Sequence, residues 1–171
     1  MPEATGHIVR GRDHTFELTL VRSFDAPLAD VWASLTESEQ TAAWLGPWRG
    51  TAGVGNTVEL QMAFEEGESW SSVRIDECDP PNRVAVSVTV SEAVNGWDLE
   101  ASLVEVDGRT QLTFVHRLDD PAGAESIGPG WEYYLDMLVV ARNETERPEF
   151  EDYYPAQVSW YTKQANRVLT E

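Results

Sequence analysis

"RVAVSVTVSEAVNGWDLEASLVEVDGRTQLTFVHRL", residues 83–118, decides the fold. Val84, Val86, Val88 and Val90 alternate with Ala85, Ser87 and Thr89. Such alternation puts every second side chain on the same side of a strand. Asn95–Gly96 is a strong hairpin signal. Trp97, Leu99, Ala101 and Leu103 then resume the two-residue period. Asp107–Gly108 marks a second reversal, after which Leu112, Phe114, His116 and Leu118 align. Links this short cannot hold a helical crossover, so successive strands must be antiparallel neighbours.

The same pattern extends upstream. "TVELQMAF" (57–64) sets Val58, Leu60, Met62 and Phe64 on one face, and Glu66–Gly67 turns the chain. "SWSSVRIDE" (69–77) offers Val73 and Ile75 as the inward pair, while Trp70 shares its face with Ser72 and Arg74. Asp79-Pro80-Pro81-Asn82 is a turn that no central strand could contain. "TFELTLVRSF" (15–24) aligns Phe16, Leu18 and Leu20; Arg22 continues that face, turned inward or placed at the strand's wet end. The expected sheet has about six antiparallel strands, and its apolar face needs a cover.

Between these strands the period changes. Leu28, Val31, Trp32 and Leu35 recur at helical spacing, with Pro27 suited to the first turn and Trp32 expected in the core. Thr36-Glu37-Ser38-Glu39 reads as a capping box opening a second short helix that runs to about Leu45, where Gly46–Pro47 stops it. Trp44 belongs to that helix and Trp48 follows it; the tryptophans are read as braces that hold the helix pair to the sheet. "DDPAGAESIGPG" (119–130) reads as a loop. A covering helix is expected from near Trp131, with Trp131, Tyr134, Leu135, Leu138 and Arg142 along one stripe. Residues 149–155 look irregular, and Val158, Tyr161, Ala165 and Val168 close the chain at helical spacing. Residues 1–171 read as a single domain, with 149–171 a C-terminal extension packed on it.

Composition bounds the function. With 171 residues, 42% hydrophobic and 25% charged, the chain has a globular make-up. Twelve basic against thirty acidic residues give a net charge of −18, which disfavours nucleic acid and anionic lipid as partners. Cys78 is the single cysteine, so no intrachain disulfide can form and a reducing, cytoplasmic setting is expected. The opening "MPEATGHIVRGR" has no apolar signal-peptide core, and no run approaches a membrane span. His7, His14 and His116 lack zinc-motif spacing; Gly53-Val54-Gly55 is too short for a phosphate loop; no Gly-x-Ser-x-Gly elbow occurs. Glu77 and Asp79 beside Cys78 make it a poor nucleophile. No cofactor, metal or catalytic set is assigned.

The order of strand, two short helices, antiparallel meander and long C-terminal helix resembles the α+β helix-grip fold of the START-like (SRPBCC) superfamily. "VRSFDAPLADVWASLTESEQTAAWLGP", "IDECDPPNRV", "DGRTQLTFVHRL" with "GPGWEYYLDML", and the tail "PEFEDYYPAQVSWYTKQ" are similar to the family named for activators of the Hsp90 ATPase. That resemblance implies a long helix laid across a curved sheet, with an apolar cavity or a filled core between them. The ligand-binding residues it suggests here are Trp44, Trp48, Val86, Trp97, Leu99, Phe114, His116, Trp131, Leu135 and Leu138. His116 is weighed as a polar anchor or general base against a hydrogen-bonded core histidine.

The expected function is therefore binding of a small apolar or aromatic molecule, in a monomer or homodimer, rather than catalysis. Two alternatives stand beside it. One is a cyclase or aromatase acting on a polyketide-like substrate. The other is a chaperone-associated, protein-binding module, although a chain of this length lacks the separate N-terminal domain of the eukaryotic activators.

Overall fold

Strands β1 (His7–Arg10) and β2 (Phe16–Phe24) open the computed structural model, which describes residues 2–62, 70–89 and 96–170. Helices α1 (Leu28–Thr36) and α2 (Ser38–Thr41) follow, then β3 (Trp48–Arg49), β4 (Thr57–Gln61), β5 (Trp70–Asp79), β6 (Arg83–Thr89), β7 (Trp97–Val106) and β8 (Arg109–Leu118). The chain ends with α3 (Ala124–Asn143) and α4 (Val158–Thr170), with 3-10 turns at Pro121–Gly123 and Phe150–Asp152. The strands form one sheet in the order β1-β2-β8-β7-β6-β5-β4-β3. Eight strands replace the expected six, because β1 has four residues and β3 two, too short for alternation to register. Phe64, Val90, Asn95 and the Glu66–Gly67 turn lie outside the described residues.

Two compact units emerge, Arg22–Phe114 and Met1–Val21 with Val115–Glu171. In the first, β4 to β7 are antiparallel throughout their registers. Asp107 and Gly108 both take positive φ, 52° and 77°, as a type I′ hairpin requires. A bulge at Asp76 inserts one residue between Ile75 and Glu77, so Cys78 pairs opposite Val84 on the valine face. The opposite face is polar. Arg74 donates from Nε to Asp76 Oδ1 at 2.7 Å, and Ser87 Oγ lies 2.5 Å from Asp76 Oδ2. Burial pulls the Asp76 carboxyl up, but Ser87 and Arg74 outweigh this and hold it below the usual carboxylate range.

The helix pair departs from expectation at its junction. Thr36 ends α1 and donates its hydroxyl to Trp32 O at 2.8 Å, so no capping box forms. Glu37 is the shared cap residue and α2 has no side-chain N-cap. Trp32 is half-buried rather than core. The face of α1 that turns inward carries Val31 and Ser34, and the Ser34 carbonyl accepts from the Trp44 indole.

In the second unit, α3 packs against α4 and α4 against β1. α3 starts at Ala124, seven residues before the expected Trp131. Asp120 Oδ1 accepts from Ala122 N at 2.9 Å and starts the preceding 3-10 turn. Gly128, which reads as a loop signal, is instead a packing site: a Cβ there would meet the Tyr161 ring at 2.6 Å. Glu132 is fully buried on α3. Its Oε1 accepts from Thr5 N at 2.6 Å, Gly6 N at 2.8 Å and the Tyr161 hydroxyl at 2.6 Å. One carboxylate thus ties the N-terminal segment, α3 and α4 together. No helix among the described residues is long and apolar enough to cross a membrane.

Candidate functional site

Cross-strand register builds an apolar wall on one face of β3 to β7. Val58, Val73, Val88 and Trp97 form one row across four strands. Ile75, Val86 and Leu99 form the next, and Trp48 pairs with Leu60 at the edge. Directly opposed side chains of this kind contact one another. Val58, Val73 and Val88 are buried, and Trp48, Leu60, Ile75, Val86, Trp97 and Leu99 pack round them while remaining partly exposed. None of these nine side chains is ionisable.

Two indoles fix one end of this wall. The last four carbonyls of a helix have no partner within it. Trp44 Nε1 donates to Ser34 O at 2.8 Å and Trp48 Nε1 to Thr36 O at 2.9 Å, so both tryptophans cap α1. Ser38 Oγ accepts from Trp48 N at 2.9 Å and donates to Trp48 O at 2.7 Å, which locks the backbone of β3. Trp48 therefore keeps its polar edge on the helix and its rings on the wall. Trp44 is 5% exposed and serves the helix pair. Trp44→Phe leaves Ser34 O without this donor, so the urea midpoint should fall by the equivalent of about 1–2 kcal/mol at unchanged slope.

The second unit holds the histidine. His116 is buried, and its Nδ1 accepts from Trp131 Nε1–H at 2.9 Å. Accepting at Nδ1 assigns the hydrogen of the neutral ring to Nε2. Trp131 also packs edge-on to His116 and tilts against Tyr134 at 5.9 Å. This is the arrangement of a hydrogen-bonded core histidine. Leu135 and Leu138 are buried on α3; Phe114, the last residue of the first unit, is buried on β8.

Of the ten residues singled out from sequence, the apolar wall gathers Trp48, Val86, Trp97 and Leu99, and a hydrogen bond joins His116 to Trp131. Leu60 and Ile75 belong to the wall and were passed over, although strand alternation marks both. Glu132 was also missed: a single acid on an amphipathic helix carries no sequence signal of burial. Among the described residues, no group of three His, Cys, Asp or Glu could hold a metal ion.

An eight-stranded antiparallel sheet with a 20-residue helix near the C-terminus defines an α+β protein of the helix-grip class. The model of the family "Activator of Hsp90 ATPase homolog 1-like protein" matches residues 25–142. The chain belongs to that family. The crystal structure of CalU16 from Micromonospora echinospora is similar over 99% of this chain and 98% of its own, at 20% identity and a TM-score of 0.73. A conserved protein of unknown function from Enterococcus faecalis covers 95% and 91% respectively, at 16% identity and a TM-score of 0.69. DynU16, described as a protein in the dynemicin biosynthetic locus, covers 81% and 50%, at 22% identity and a TM-score of 0.64. At these identities the likeness carries the fold alone. No curated protein matches.

Proposed function

We propose that this protein binds a small, uncharged apolar or aromatic molecule against the wall of β3 to β7. The carrying observation is that six apolar side chains, two of them tryptophans, stay partly exposed around a buried valine row on one face of the sheet. Exposed apolar area of this kind is what a ligand would remove from water, at about 25 cal/mol per Å². Five strands at about 4.8 Å spacing make the wall about 19 Å across, enough for a compact ring system. The lack of ionisable groups on the wall selects against a charge on the ligand face that meets it. A cyclase-like reaction would require a base, and Nδ1 of His116 is committed to Trp131, so binding is the reading adopted.

The test is titration with Nile red and a panel of uncharged polycyclic aromatics, read by tryptophan quenching and melting temperature. Saturable quenching with a raised melting temperature is expected, and Leu99→Asp should abolish it by placing a carboxylate on the wall beside Val86. A panel that moves neither signal, or that binds the Leu99→Asp protein equally well, overturns the reading.

A further inference from the structure

A second surface, built from different residues, lies beyond α3. Phe150 and Tyr154 each keep 42% of their surface exposed, and their rings stack with centroids 6.1 Å apart and planes within 16°. They stand on a rigid base. Tyr133 meets Phe150 edge-on at 5.5 Å and 84°, and Tyr153 at 5.6 Å and 75°. Tyr153 is nearly fully buried and donates its hydroxyl to Asp136 Oδ2 at 2.7 Å. The exposed pair is therefore held in place before any partner arrives, and little ordering entropy remains to be lost on binding.

The chemistry of the ledge is specific. An aromatic face is the negative end of a quadrupole and attracts a guanidinium or ammonium group within about 6 Å. The surrounding charge has the same sign: Glu144, Glu146, Glu149, Glu151 and Asp152 are exposed in the same segment, against Arg147. Their field reaches the rings. Burial raises the Tyr133 phenol first; Arg147 lowers it, while Glu149 and Glu151 push it up further. An uncharged apolar partner would gain nothing from those carboxylates, and an acidic one would be repelled.

We propose that the Phe150–Tyr154 ledge docks a basic peptide segment of a partner protein, with an Arg or Lys side chain on the ring faces and the flanking glutamates supplying complementary charge. The rings give the position and the acids the approach rate, as is usual when charge surrounds an aromatic anchor.

The experiment uses the acetylated, amidated peptide Gly-Arg-Gly-Arg-Gly-Arg-Gly and its glutamate counterpart, followed by the backbone amide NMR signals of residues 149–154, which parent and variants share. The arginine peptide should shift those signals saturably and the glutamate peptide should not. Phe150→Leu/Tyr154→Leu keeps apolar bulk but removes the π faces, and should weaken binding about tenfold, the fold-change of one cation–π contact. Tyr154→Leu alone, which leaves Phe150 packed on Tyr133, gives the same reading should the double variant misfold. Equal affinity in variant and parent would show attraction to the acidic surface at large, and would overturn the proposal. So would the lack of a saturable shift up to millimolar peptide.

Discussion

Glu132→Ala should cost about 3–5 kcal/mol of unfolding free energy. The carboxylate is fully buried, and Thr5 N, Gly6 N and the Tyr161 hydroxyl all donate to its Oε1. Removing it strands the buried Gly6 N and Tyr161 hydroxyl, each at a desolvation cost of about 1–3 kcal/mol, while the exposed Thr5 turns to water. Some of that cost is recovered as the N-terminal segment loosens and reaches water, which is why the sum is not fully realised. Urea denaturation with a two-state fit measures the loss, and hydrogen exchange at Thr5 and Gly6 locates it. Tyr161→Phe removes one donor and keeps the ring, so it should cost less than half as much. A double-mutant cycle between the two should show strong coupling. A Glu132→Ala protein within 1 kcal/mol of the parent would mean the N-terminal segment contributes little to the fold.

The second large effect concerns two glycines in one helix turn. A helical glycine replaced by alanine normally gains about 1 kcal/mol. Gly130→Ala should show that gain, because a Cβ there has nothing within 4 Å. Gly128→Ala should reverse the sign. Its methyl would sit 2.6 Å from Cδ1, Cε1 and Cζ of Tyr161. The ring cannot swing away cheaply, since Tyr161 is fully buried with its hydroxyl on Glu132. Overpacking of this severity costs about 3 kcal/mol, which leaves a net loss of about 2 kcal/mol after the propensity gain. Thermal unfolding of both variants provides the check, and equal melting temperatures would refute the packing account.

The meander was legible because alternation and hairpin chemistry are local. Val84, Val86 and Val88 declare a face, and Asp107–Gly108 declares a reversal, without knowledge of anything distant. What escaped notice depends on partners far along the chain. Thr36 looked like an N-cap until Trp32 O claimed its hydroxyl, and the carbonyls beyond were taken by Trp44 and Trp48. Gly128 and Pro129 looked like loop residues because the reason for the glycine, Tyr161, lies over thirty positions away. The candidate site divides the same way. Trp48, Val86, Trp97 and Leu99 fall on one wall because strand period assigns them to it. His116 was visible only as an inward histidine, since its partner Trp131 sits on another element.

The sheet ends in strands of four residues and two. An outermost strand is a template on which a neighbouring molecule can add its own backbone, and long, flat templates seed fibrils. Here the outermost strands offer only four and two residues of such a template. The brevity that hid β1 and β3 from pattern recognition thus also shortens the backbone template that an outermost strand presents.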